Sequence, residues 1–170
     1  VVVAPLVSLS DTRVSSTQIR HLLRKGNVSE AAALLGRCYT LAGTVVTGDA
    51  RGRTLGYPTA NLEPTPHKVI PADGVYAAFA SGEGVSCTIN GREAPCFAAV
   101  HIGPRPTFDS SERRIEIFIC TDQDLDLVGS HVEMRFVRRL RDVKEFADSD
   151  ALRQQIQRDV KTIRRFLGSQ

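Results

Sequence analysis

From Tyr39 to Val137 the sequence is a succession of short apolar, β-type runs broken by turn residues. The alternation is cleanest in Arg114–Cys120, where Ile115, Ile117 and Ile119 fall on one face and Arg114, Glu116, Phe118 and Cys120 on the other. A period of two is that of a strand with one buried face. Tyr39–Thr47, Val75–Ala80, Val85–Ile89, Pro95–Ile102 and His131–Val137 are further runs, and Asn90-Gly91 is a hairpin turn signal. Strands and helices do not alternate, which argues against a doubly wound parallel sheet. Short strands with regular turns point to an antiparallel barrel or sandwich.

Helical patterning is confined to the two ends. Ser15-Ser-Thr-Gln18 reads as a capping box, Ile19, Leu22 and Leu23 follow at helical spacing, and Gly26 is placed to stop the helix. Ser29 is the expected cap of a second short helix, Glu30 to Leu35, closed by Gly36. Val1 to Val7 reads as a strand or its remains. At the other end Asp148 or Ser149 caps an amphipathic helix whose apolar stripe is Leu152, Ile156, Val160, Ile163 and Leu167. Its arginines and lysine lie largely off that stripe, as on a solvated face.

The chain has 170 residues, 42% of them hydrophobic and 24% charged, which suits one globular domain with a real core. A net charge of +3 fits an anionic ligand such as a nucleotide without demanding nucleic acid. Tryptophan is absent and aromatics are few, which argues against a base-stacking platform. No apolar run approaches the ~18 residues of a membrane span. Cys38, Cys87, Cys96 and Cys120 form no C-x-x-C pair, and with no secretory signal ahead of them they are expected as idle thiols of a cytoplasmic protein. The chain starts without Met and is expected to be a piece of a longer one.

Chemistry concentrates in Gly48-Asp-Ala-Arg51-Gly52-Arg53-Thr-Leu-Gly56-Tyr-Pro58-Thr59-Ala-Asn61-Leu62. Three glycines at spacing four let a backbone bend closely around a ligand, and Arg51 and Arg53 supply charge suited to phosphate. Pro58 stiffens the chain where Thr59 and Asn61 present a hydroxyl and an amide two residues apart, on one face of an extended segment. Oxygen groups of this kind suit magnesium, alongside waters and nucleotide phosphates. The spacing is not that of a Walker A loop. The same pattern also describes a glycine-rich hairpin loop with a structural proline. Glu116 is a second candidate: a carboxylate in an otherwise apolar run is either on a solvated strand face or held in a site. The Pro64–Pro71 stretch is a loop and a candidate lid.

The fifteen-residue stretch resembles the signature of riboflavin kinases, the ATP-dependent enzymes that make FMN. The resemblance extends through Pro71-Ala-Asp-Gly-Val-Tyr76, Arg105-Pro106-Thr107-Phe108 followed by Glu116, and Arg139-Leu-Arg141-Asp142. Upstream, Val14-Ser-Ser-Thr-Gln-Ile-Arg20 and Gly26 to Arg37 resemble the tail of the FMN adenylyltransferase module that precedes the kinase in bacterial bifunctional FAD synthases. The resemblance implies a six-stranded antiparallel Greek-key barrel with a C-terminal helix and a short N-terminal helical segment. It implies that residues 1–36 are a remnant of the adenylyltransferase module, leaning on the barrel through Ile19, Leu22, Leu34 and Leu35, and that residues 37–170 are the kinase domain. The implied reaction turns riboflavin and ATP into FMN and ADP, with Mg2+ as cofactor and with no nucleic acid, membrane or FAD synthesis. Glu116 is the implied base. Gly48, Arg51, Gly52, Arg53, Gly56, Pro58, Thr59, Asn61 and Tyr76 lie at the nucleotide, Thr59 and Asn61 at the metal, and Arg141 and Phe108 at the flavin. ATP and flavin would approach the Thr59–Glu116 centre from opposite sides. Three positions depart from the family pattern, His101 for asparagine, Pro104 for threonine and Val128 for tyrosine, and they motivate an alternative: a flavin- or nucleotide-binding regulatory module without catalysis.

Overall fold

The computed structural model describes residues 8–9, 12–47, 56–89, 92–104, 113–121, 123 and 125–168. The strands are β1 (Ser8–Leu9), β2 (Thr12–Arg13), β3 (Tyr39–Val46), β4 (Ala60–Pro64), β5 (Gly74–Gly82), β6 (Cys87–Ile89), β7 (Arg92–Ala94), β8 (Cys96–Pro104), β9 (Arg113–Ile119) and β10 (His131–Arg141). The helices are α1 (Ser16–Arg24), α2 (Val28–Leu35) and α3 (Ser149–Leu167). Six strands close into an antiparallel barrel in the order β10-β3-β4-β9-β8-β5, while β1–β2 and β6–β7 are separate hairpins. The successive barrel strands β5, β8 and β9 are neighbours and β10 returns beside β5, which is the Greek-key arrangement. The expected barrel is the one observed.

The period of two decides what lies inside. Leu41 and Val45 of β3, Val100 and Ile102 of β8, Ile115, Ile117 and Ile119 of β9, and Val132, Met134 and Phe136 of β10 all point into one core. The residues between them face outward. On the outer wall of β5 and β8 the small side chains of Ala77 and Ala99 leave room for α3, which seals them with Ile163, Leu167 and Phe166. Two β-bulges in β10 help. They leave Val137 and Leu140 without ladder partners on β5, and both of these side chains pack into the layer under α3. Beyond the second bulge Arg141 meets Asp159 of α3 through both Nε and Nη2, at 3.0 and 2.8 Å, while Gln155 donates to the same carboxylate. Only 16% of the Arg141 side chain and 10% of that of Asp159 are exposed. Breaking such a buried pair from one side typically costs ~3–5 kcal/mol.

The N-terminal helices are part of the barrel. Leu23, Val28 and Ala31 belong to the same buried cluster as the barrel interior, with Ile19 and Leu22 packed against it. Leu34 and Leu35, expected to share that contact, are only half-buried. Ser15 caps α1 as expected, accepting from the Gln18 amide at 3.2 Å, and Gly36 ends α2 in the left-handed conformation. Ser29 is not the cap of α2, which begins at Val28, two residues before the expected start, after Asn27. Its hydroxyl instead donates to the carbonyl of Val137, the residue freed by the first bulge. Gly26 has φ +79°, and a Cβ there would lie 2.9 Å from the Tyr76 hydroxyl and from Arg139, so the turn into α2 has no room for a side chain.

One further expectation is corrected. Cys87 and Cys96 are joined in a disulfide, while Cys38 and Cys120 are free. The reason is register: β6 and β7 pair Cys87 with Ala94, which brings Cys96 alongside. The Pro64–Pro71 stretch, the candidate lid, is exposed at residues 65–68 and is tied to its surroundings at Thr65, Val69 and Pro71. Thr65 bonds Ala42, the Tyr39 hydroxyl donates to Val69 at 2.8 Å, Ala72 donates to Leu23 at 3.0 Å, and Arg113 donates to Pro71 at 2.6 Å. Among the described residues no helix is long and apolar enough to cross a membrane.

Because α1 and α2 complete the core, Leu23→Ala is expected to destabilise the whole protein by about 2–5 kcal/mol, the usual cost of a buried leucine. Urea unfolding followed by far-UV circular dichroism tests this. A change confined to local fraying, with the main transition unmoved, would mean that the helices are an appendage.

Candidate active site

Two of the polar residues that the sequence singles out, Asn61 and Glu116, meet on the outer wall of the barrel beside His101. Asn61 on β4 pairs directly with Glu116 on β9, and Glu116 pairs directly with His101 on β8. Directly opposed residues of antiparallel strands share a face with their Cβ atoms about 5 Å apart, so Asn61, Glu116 and His101 form one row. The inward alternation of Ile115 and Ile117 turns Glu116 out of the core. Its side chain keeps 39% exposure and that of His101 29%, so both are reachable. Thr59, half-buried, lies two residues before Asn61.

The wall is incomplete at this row. Strands β4 and β9 pair through only Ala60↔Ile117 and Asn61↔Glu116. Past that point Leu62–Pro64 pair only with β3 and Arg113–Ile115 only with β8. The parting strands open a cavity of about 410 Å³ with an apolar floor, Leu62, Ile70, Ile102 and Ile115, and a polar rim, Asn61, Glu63, Arg113 and Arg114. Arg113 stays at the rim through its bonds to Asp73 and the Pro71 carbonyl. On the other side of the row Tyr57 stacks edge-on against Phe118, centroids 5.4 Å apart. Tyr57 and the first turns of α3, Asp150, Arg153, Gln154 and Gln157, enclose a second cavity of about 360 Å³. Glu116 itself lines neither cavity: its partner Asn61 and its neighbour Ile115 line the first, and Tyr57, which meets Phe118, lines the second.

His101 is the most perturbed histidine of the described chain. Burial is the main cause and pushes its pKa below the ordinary 6.5; Arg141 acts the same way, and Glu116 and Asp73 oppose it. The imidazole is therefore neutral at pH 7.

The remaining expected site residues divide. Gly56, in a left-handed turn at φ +78°, and Pro58 are exposed at the entry to β4. Gly48, Arg51, Gly52, Arg53 and Phe108 lie outside the described residues. Tyr76, expected beside the nucleotide, is fully buried in the core. It packs edge-on against Phe136, and its hydroxyl donates to Ala72 at 2.5 Å. Strand β5 is covered on both faces, by the core and by α3, so neither parity of Tyr76 would have reached a ligand from the outer wall. Arg141, expected at the flavin, is engaged by Asp159. Sequence analysis had passed over Tyr57, Phe118 and Arg113. Of these only Phe118 carried a readable signal, its place on the outward face of an alternating strand.

Fold and site together describe a small Greek-key barrel with a carboxylate and an amide at an opened seam. A family model described as flavokinase, riboflavin kinase, matches residues 35–167. The chain is 38% identical over 156 residues to the bifunctional riboflavin kinase/FMN adenylyltransferase of Escherichia coli, an alignment covering 92% of this chain and 47% of that protein. A crystal structure described as a macrolide-efflux protein from Streptococcus pneumoniae superposes with a TM-score of 0.79 at 37% identity, covering 95% of this chain and 50% of that one. The crystal structure of riboflavin kinase from Trypanosoma brucei, at 24% identity and a TM-score of 0.53 over 76% of this chain and 79% of that one, shares the fold. The chain belongs to the riboflavin kinase family. It spans about half the length of the curated relatives it matches.

The depressed His101 value makes a pH prediction. The unfolded chain takes up this proton near pH 6.5 while the folded chain resists it, so the stability His101 contributes is complete above 6.5 and is lost as pH falls toward the lower folded value. His101→Asn should therefore lose less stability than the wild type between pH 7.5 and 5.5 in urea titrations. Parallel losses in the two proteins would contradict the assignment.

Proposed function

We propose that this chain phosphorylates the ribityl 5′-hydroxyl of riboflavin with ATP, giving FMN and ADP. The observation that carries the reading is the direct pairing of Glu116 with Asn61 at a seam flanked by two cavities. Phosphoryl transfer needs positioning and charge neutralisation more than covalent chemistry. Glu116 accepts the proton of the attacking hydroxyl, whose oxygen forms the new bond to the γ-phosphorus as the bond to ADP breaks. The Gly48–Gly56 loop with Arg51 and Arg53 cradles the phosphates, and Phe108 serves the flavin side. The two flanking cavities suit two substrates arriving from opposite sides.

Among the described residues no group of three or more His, Cys, Asp or Glu could hold a metal by itself. Magnesium keeps waters and phosphate oxygens and takes few protein ligands. Thr59 and Asn61 would hold it, and the ion would neutralise phosphate charge. Arg141 acts through Asp159 by holding α3 beside the site. Residues 1–36 derive from the end of an adenylyltransferase module in a longer cytoplasmic protein, and α1 and α2 serve here as the cap of the kinase barrel.

Incubation with riboflavin, ATP and magnesium, followed by chromatography, should yield FMN. With FMN in place of riboflavin, neither FAD nor pyrophosphate should form. Flavin and nucleotide binding without turnover would instead favour a regulatory module. Glu116→Gln keeps the shape and removes the basicity, and turnover should fall ~10²–10⁴-fold with ATP binding retained. A wild-type rate in that variant would remove Glu116 from the chemistry. Thr59→Ala and Asn61→Ala should each weaken the magnesium-dependent part of ADP binding in titrations with and without the metal. An unchanged metal dependence in both would place the ion elsewhere.

A further inference from the structure

The surroundings of His101 are specific. Its Nδ1 lies 3.9 Å from Oε2 of Glu116. The far edge of the ring, Cε1 and Nε2, lies 3.4 Å from where a Cβ on Gly103 would stand, and Val143 approaches the same point at 3.1 Å. A Cβ on Gly103 would crowd Val143 and would only touch the ring, so the ring packs against the Gly103 backbone and Val143 side of the site. Facing it are Glu116 from β9, Arg141 from β10, itself bound to Asp159, and Asp73 from the connection before β5.

We propose that His101 is a positioning residue for Glu116: its Nδ1–H donates to Oε2 and leaves Oε1 free for the substrate hydroxyl. The inference rests on the proposed kinase reaction. A neutral imidazole suits this role, because it orients the carboxylate without pairing its charge. The present separation is longer than a hydrogen bond, and such contacts commonly tighten only when substrate arrives. An asparagine at this place would offer an amide N–H to the same oxygen, so His101→Asn keeps a donor and removes a group that titrates.

Two measurements test this, and the first needs no activity. The His101 imidazole is titrated by NMR in the wild type and in Glu116→Gln. Loss of the neighbouring anion should lower the His101 pKa further. An identical value in both proteins would show that the two side chains do not meet, and would overturn the proposal. The second is steady-state kinetics. His101→Ala should lower kcat by up to ~10²-fold, the scale of a misplaced catalytic group, with KM for ATP unchanged. His101→Asn should recover most of that loss and flatten the acid side of the pH profile. Wild-type kcat in His101→Ala, or no recovery in His101→Asn, would also overturn it. If the wild type made no FMN while His101 still responded to Glu116→Gln, the pair would stand and the assigned reaction would fall.

Discussion

The barrel closes through a contact only two residue pairs long, and the rest of the site depends on it. Where β4 and β9 touch, Asn61 and Glu116 are forced side by side. Where they part, the interior becomes accessible between Leu62–Pro64 and Arg113–Ile115. A longer seam would bury more backbone hydrogen bonds and shut the cavity. A shorter one would leave two open edges, which sheets do not tolerate well. The polar centre therefore sits where closure of the sheet is least redundant.

Such a seam needs support from elsewhere, and the outer layer supplies it. The two bulges of β10 aim Val137 and Leu140 at α3, and Arg141 pins that helix through Asp159. With α3 fixed, Asp150, Arg153, Gln154 and Gln157 stand across from Tyr57. On the opposite side Arg113 ties the rim to Asp73 and Pro71. On one side the tie is Arg141 with Asp159, and on the other it is Arg113 with Asp73 and Pro71.

Much of this was legible in the sequence. The alternation of Ile115, Ile117 and Ile119 gave the parity that turns Glu116 outward, and Ser15, Gly36 and Asp148 marked helix ends that the structure keeps. What escaped depends on long-range register. The burial of Tyr76 follows from β5 being covered on both faces, and the unbroken apolar run Val75–Ala80 is consistent with that without saying what covers each face. The Cys87–Cys96 bond requires the alignment of β6 with β7. The partner of Arg141 left a trace that was overlooked: Asp159 lies three residues after Ile156 and four before Ile163, so it sits on the apolar stripe. A carboxylate there has to be buried with a cation.

The docking of α1 and α2 also governs the order in which this chain can become native. Their anchors are far ahead in sequence: Leu23 accepts from Ala72, and Ser29 reaches Val137, 108 residues away. Strand β3, the first of the barrel, pairs with β10, the last. During synthesis the two helices can form locally and meet Ala72 and β3 early, but their seat is complete only once β10 has emerged. The apolar faces of Leu23, Val28 and Ala31 then wait through most of translation. Barrel closure and helix docking are consequently late and concurrent events, as expected of a fold dominated by contacts between distant residues.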